Sequence, residues 1–161
     1  MKAVIQRCLG ARVEVEGRAV GKIENGLTIF LGVAEGDDEG CAAKLAAKIA
    51  ALRIFSDADG RFNLSVKDVG GSALVVSNFT LCGDVRKGTR PSFTAAAAPD
   101  EANRLYERFV TLLREQQLDV ETGQFAAAMR VFVENDGPVT MILEALPPAN
   151  QEITISHGAG K

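Results

Sequence analysis

Residues 72–81 read SALVVSNFTL. The first half is a short, continuous apolar run, the pattern of a strand buried on both faces and therefore central in a sheet. The second half breaks that pattern. Ser77, Asn78 and Thr80 bring polar groups to a place where a core strand should stay apolar. If the strand continues through them, Asn78 and Thr80 share one face, and Ser77 and Phe79 share the other. Such a stripe is either an edge-facing polar surface or a strand end that presents groups to a ligand, and the residues alone leave both readings open.

Before this strand, KAVIQR (2–7) and ARVEVEG (11–17) read as strands, the second alternating apolar and polar. RAVGKI (18–23) and LTIFLGVA (27–34) follow, joined by ENG, a tight-turn signal, so the opening third predicts a β-meander. A helix is expected after Asp37 and Asp38, either of which can cap it, with Leu45, Ile49 and Leu52 on its buried stripe. APDEANRLYERFVTLLREQQ (98–117) is a second helix, opened by Pro99 and an acidic first turn, with Leu105, Phe109 and Leu112 facing the core. AAMRVFV (127–133) and VTMILEAL (139–146) read as two last strands, with Asn-Asp-Gly-Pro as the turn between them. The fold class is α/β or α+β: one domain over 1–146, a mostly antiparallel sheet with two helices. Residues 147–161 read as a flexible C-terminal tail.

Composition narrows the chemistry. The chain has 161 residues, 47% of them hydrophobic, which fits one sizeable core. No apolar run approaches the roughly 20 residues that span a bilayer, and MKAVIQRC lacks the features of a signal peptide, so a cytoplasmic location is expected. Cys8, Cys41 and Cys82 are too few and too scattered for a disulfide framework and read as buried free thiols. His157 is the one histidine, and it falls in the tail. Ser-His-Asp or Cys-His catalysis therefore has no histidine to use, and a zinc site has no ligand set. An enzyme built from this chain must take its proton transfers from carboxylates, water or the substrate.

Two loops could carry function. DVRKGTRP (84–91) gathers Arg86, Lys87 and Arg90 in a chain whose net charge is −3. It is either a solvated loop or a grip on the end of an RNA; extensive duplex binding would need more cations. NDGPVT (135–140) has ordinary turn chemistry except for Pro138, which cannot donate to a sheet ladder. Thr80 is a poor nucleophile without a neighbouring base, so positioning a substrate, or lending backbone N–H groups to an oxyanion, is the more economical role for its segment.

These residues resemble the D-aminoacyl-tRNA deacylase family. The resemblance runs from MKAVIQR to VTMILEAL and includes RIFSD (53–57), GGSALVVSNFTL (70–81), RPSF (90–93), TGQFAA (122–127) and NDGPVT (135–140). Of the family's two functional motifs, Asn-x-Gly-Pro-Val-Thr is intact, while Ser-Gln-x-Thr-Leu departs at Asn78, which stands where the family has glutamine. The resemblance implies the barrel-like fold of that family and hydrolysis of D-aminoacyl-tRNA, with mischarged glycyl-tRNA as a second substrate. It implies a homodimer with the active site at the subunit interface, no metal and no organic cofactor. Ser77, Phe79 and Thr80 would hold the aminoacyl-adenosine end, with Asn78 beside them. Gly137 and Pro138, joined by a cis bond and steadied by Arg7, would reach into the partner's pocket and reject L-amino acids. The terminal 2′-hydroxyl of the tRNA would assist the hydrolysis. A binding module for an RNA end or a peptide, without catalysis, is the alternative.

Overall fold

The computed structural model describes residues 1–148 and 154–156. Its strands are β1 (Lys2–Val15), β2 (Arg18–Ile23), β3 (Gly26–Gly32), β4 (Phe55–Ser56), β5 (Phe62–Leu64), β6 (Ser72–Ser77), β7 (Asp119–Thr122), β8 (Arg130–Glu144) and β9 (Thr154–Ser156). Two helices, α1 (Glu39–Ala50) and α2 (Pro99–Glu115), complete an α+β fold. The main sheet runs β7-β6-β3-β1-β8-β9, with β2 also paired to β1.

Most pairs are antiparallel, but β3–β6 and β6–β7 are parallel. Parallel neighbours need a crossover, and each helix lies in one: α1 between β3 and β6, α2 between β6 and β7. This places β6 inside the sheet, as its apolar run predicts. Ala73 and Val75 belong to the cluster under the helices, with Ile5, Leu27, Ile29, Leu45, Ile49, Leu105 and Phe109. Leu74 and Val76 belong to the opposite cluster, with Cys8, Val13 and Ile23, enclosed by the curl of the sheet. At the closing seam, a Cβ added to Gly21 of β2 would lie 2.4 Å from the Thr122 carbonyl of β7, an approach that only glycine permits. The sheet is thereby barrel-like and nearly closed.

The opening third is not a simple meander. β2 and β3 do not pair as a hairpin; both dock on β1, β3 along Lys2–Cys8 and β2 along Ala11–Val15. Glu24 and Asn25 only bend the chain into β3, and turn residues carry no information about which strand becomes the neighbour.

A larger correction concerns the last two expected strands, which form one. β8 runs as one strand along β1, with shifts of register near Arg7, and NDGP is not a hairpin turn. Asn135 pairs with Cys8 and Thr140 with Gln6, so Asp136, Gly137, Pro138 and Val139 all stand opposite the single residue Arg7. Gly137 and Pro138 are exposed at this bulge while Val139 returns to the core, and Pro138, which has no N–H to give a ladder, is tolerated there.

Asp38 rather than Asp37 caps α1, accepting a 2.8 Å hydrogen bond from the Cys41 N–H. On α2 the buried residue is Leu113, while Leu112 is half-buried. The three cysteines are buried and unpaired, and burial pushes their thiols above the ordinary range. Part of the segment read as a tail joins the sheet: β9 pairs with β8 through Ile142–Glu144. The remainder of that reading, residues 149–153 and 157–161 with His157, lies outside the described residues.

Candidate active site

Strand β6 stops at Ser77. The next residue, Asn78, leaves the strand conformation (φ −144°, ψ 84°), and Phe79–Cys82 turn as a short 3-10 helix. The expected alternation of Asn78 and Thr80 on one strand face therefore does not occur. The turn packs tightly on β3: a Cβ on Gly32 would meet the Leu81 Cβ at 2.9 Å and the Asn78 carbonyl at 3.1 Å. Position 32 thus fixes how closely the turn approaches the sheet, although the sequence marks it as one glycine among many.

A cavity of about 600 Å³ opens beside this turn. Phe30, Leu31 and Val33 of the β3 segment, Val76 to Phe79, Ala96 and Ala97, Pro99 and Ala102 of α2, and Phe125, Ala126, Ala127, Met129 and Val131 enclose it. No lining residue is ionisable. The first N–H groups of a helical turn have no acceptor within it, which leaves those of Phe79 and Thr80 without a partner in the turn. Ser77, Asn78 and Phe79 line the cavity; Thr80 does not, and its hydroxyl instead donates to Asn78 Oδ1. Phe79 is exposed and meets Phe93 edge-on, with ring centroids 5.1 Å apart.

β6 is held from beneath. The buried Tyr106 hydroxyl donates to the Val75 carbonyl at 2.9 Å, and the ring leans on Phe125 of the cavity wall. Desolvation raises the Tyr106 phenol to about 12.

The other expected residues assemble elsewhere. Arg7 is buried under the β8 bulge. Its Nε lies 2.9 Å from Asp136 Oδ2 and donates to the Asp136 carbonyl at 3.2 Å; its Nη1 donates to the Ile54 carbonyl at 2.8 Å. The Phe62 ring lies 5.3 Å from the guanidinium. Asn135 closes the base of the bulge, its Oδ1 accepting from the Val139 N–H at 3.0 Å. Gly137 has φ +130°, the Gly137–Pro138 peptide bond is cis, and both residues are exposed. Asn135 and Asp136 were missed as structural members of this loop, although both lie in the quoted hexapeptide.

Within one chain the bulge and the cavity are separate. Ser77 pairs with Leu31 and Leu31 with Ala3. Arg7 is therefore displaced by four residues along β1, about 13 Å of strand. Neither Gly137 nor Pro138 lines the cavity. Among the described residues there is no cluster of three metal-ligating side chains, and no helix is long and apolar enough to cross a membrane.

The fold and site define an α+β protein with a nearly closed sheet, a neutral cavity at the end of its central strand and an exposed Gly-Pro bulge on its surface. The chain belongs to the D-Tyr-tRNA(Tyr) deacylase family, whose model matches residues 4–144. A D-aminoacyl-tRNA deacylase from Thermotoga petrophila is 57% identical over 145 residues, 90% of this chain and 97% of that one. Another, from Geobacter sulfurreducens, is 58% identical over 144 residues, 89% of this chain and 95% of that one. Among solved structures, the c-Myc DNA Unwinding Element Binding Protein superposes with a TM-score of 0.85 at 37% identity, covering 91% of this chain and 100% of that one. A probable eukaryotic D-amino acid tRNA deacylase shares the fold, with a TM-score of 0.73 at 17% identity over 88% of this chain and 97% of that one.

Proposed function

We propose that this protein hydrolyses the ester of D-aminoacyl-tRNA, releasing a D-amino acid and tRNA, as a chiral proofreading step in translation. Family membership supports the activity. The observation that carries the mechanism is the cavity itself: polar groups at Ser77, Asn78 and the 3-10 turn edge a space without an ionisable side chain. Such a site can orient an ester and receive the developing oxyanion on the backbone N–H groups of Phe79 and Thr80, but it supplies no base.

The substrate provides what the cavity lacks. The 2′-hydroxyl of the terminal ribose sits beside the ester by covalent geometry and positions the attacking water, a large proximity advantage. The water oxygen bonds to the acyl carbon, the bond from that carbon to the ribose 3′ oxygen breaks, and the 3′ oxygen takes up a proton. Ser77 and Thr80 orient the substrate from one side, Thr80 through Asn78.

In this reading the active unit is a homodimer in the cytoplasm. The Gly137–Pro138 tip is exposed, rigidly seated on Arg7 and remote from its own cavity, which suits it to enter the partner's cavity. There it stands against the α-carbon, the one centre common to all amino acids, leaving room for hydrogen and excluding an L side chain. Glycyl-tRNA, which has no side chain to exclude, is the expected second substrate. No metal or organic cofactor takes part in this scheme.

The test is turnover of labelled D-Tyr-tRNA by sub-stoichiometric protein, with L-Tyr-tRNA alongside. Many turnovers on the D substrate and none on the L are expected; binding without turnover would leave a recognition module instead. A D-Tyr-tRNA ending in 2′-deoxyadenosine, charged at the 3′ position, should bind yet hydrolyse very slowly. Normal turnover of the deoxy substrate would place the catalyst in the protein and overturn the mechanism.

A further inference from the structure

We propose that the loop from Asp84 to Ser92 is a phosphate-binding arm that holds the RNA strand leading into the cavity, with Lys87 and Arg90 as its contacts. This deepens the deacylase reading and rests on it.

The arm is continuous with the cavity wall at both ends. On one side it leaves the 3-10 turn through Gly83, directly after Phe79–Cys82. On the other it returns through Phe93, whose ring packs on Phe79, to Ala96 and Ala97, which line the cavity. Ala96 bridges to Ala34, and the Ala97 N–H donates to the Val33 carbonyl at 3.0 Å, so the return strand is pinned to the β3 side. The arm thus stands at one rim of the cavity, where a strand of RNA whose last nucleotide enters can lie along it.

The base of the arm is ordered and its tip is cationic. Asp84 and Ser92 exchange backbone hydrogen bonds of 2.8 and 2.9 Å. The Asp84 carboxylate grips Arg86, accepting from its N–H at 2.9 Å and from Nη2 at 2.7 Å, and that pairing holds the carboxyl at about 2. Asp84 is the acid within the arm, and Arg86 already satisfies it. Lys87 and Arg90 are exposed and form no ion pair among the described residues.

Charge placement favours phosphate. A chain of net charge −3 repels RNA on average, and the cavity lining contributes no charge. The substrate nevertheless carries a phosphate at each nucleotide leading to the ester. Cations at the mouth can offset that repulsion locally and release counterions, a sequence-independent grip suited to an enzyme that must accept many tRNAs.

The experiment compares D-Tyr-tRNA with D-Tyr-adenosine, the same ester without the preceding phosphates, using Lys87→Ala/Arg90→Ala and Lys87→Gln/Arg90→Gln. Circular dichroism checks folding. Both double variants should lose about tenfold or more in kcat/KM on the tRNA, mostly through KM. The slope of log(kcat/KM) against log[salt] should become shallower by about 1.5. Rates on D-Tyr-adenosine should not change. Equal losses on both substrates, or no loss on either, would overturn the arm. Failure of the wild-type protein to cleave either ester would instead remove the deacylase reading. In that case binding of uncharged tRNA decides the arm alone: it stands if the double variants bind more weakly with a shallower salt slope, and falls if they bind like wild type.

Discussion

Arg7 and Asp136 face each other across the point where β1 and β8 fall out of register, with Nε 2.9 Å from Oδ2. The guanidinium also caps the Asp136 and Ile54 carbonyls, so one side chain ties the bulge to the segment before β4. Lysine has the charge but not the fork, and cannot reach these acceptors together. Arg7→Lys should therefore fold with a loss of about 1–3 kcal/mol and lower D-Tyr-tRNA turnover by more than that loss of stability explains at assay temperature. Urea denaturation and initial rates check this. A variant of wild-type stability and rate would show that the bulge does not depend on Arg7.

Thr80→Ala should leave an active enzyme. The hydroxyl donates to Asn78 and has no base beside it, so its loss removes an orienting bond worth about 0.5–1.5 kcal/mol, up to about tenfold in rate. Single-turnover kinetics on D-Tyr-tRNA make the measurement. Abolished chemistry in a folded, substrate-binding variant would mark Thr80 as a nucleophile.

Why β6 was legible and its end was not follows from the same residues. Ala73 to Val76 are buried on alternating sides, so both faces demand apolar residues and the run itself announces a central strand. The parallel partners of β6 left no local mark, because pairing is decided by the helices that cross between strands. Beyond Ser77, polar residues looked like a stripe, yet the chain turns there, and the glycine that permits it, Gly32, lies on another strand. NDGP misled for a related reason. Its residues favour a reversal, but β1 is long enough to carry β8 past them, and register with a distant strand outweighs local turn preference. The residues of both motifs could be named from the sequence; that they occupy two separate places on one chain could not.

Tyr106 offers a test of the support under β6 by pH. Its phenol is raised from 10.0 to about 12, chiefly by desolvation. Below pH 10 both folded and unfolded states hold the proton. Between 10 and 12 the unfolded state releases it first, so stability is lost as pH rises through this window, by about 2–3 kcal/mol in all. Tyr106→Phe should cost about 1 kcal/mol at pH 8 through the lost bond to Val75, and should flatten the alkaline fall. Denaturation series from pH 8 to 11.5 on both proteins provide the comparison. Parallel pH curves would mean that Tyr106 is not the group responsible.

In the proposed mechanism Gly137 and Pro138 form the chiral filter, and their substitutions should fail differently. At Gly137 φ is +130°, and an added Cβ would lie 2.7 Å from Val139 Cγ2, 2.9 Å from the Val139 nitrogen and 3.2 Å from Arg7 Nη2. Alanine must displace the tip itself, at a cost of about 1–3 kcal/mol for the strained backbone. A rigid group that excludes L side chains works only at a fixed distance from the α-carbon, so Gly137→Ala should lower D-Tyr-tRNA turnover by about tenfold or more. Pro138→Ala adds no clash; it loosens the tip by removing the ring that fixes φ. A loosened tip still admits the D substrate but no longer excludes the L side chain at all times. Pro138→Ala should therefore keep most of its D-Tyr-tRNA activity and begin to hydrolyse L-Tyr-tRNA. Rates on both charged tRNAs, measured side by side, separate the two outcomes. Variants that retain the full D rate and complete protection of the L substrate would remove the bulge from the active site.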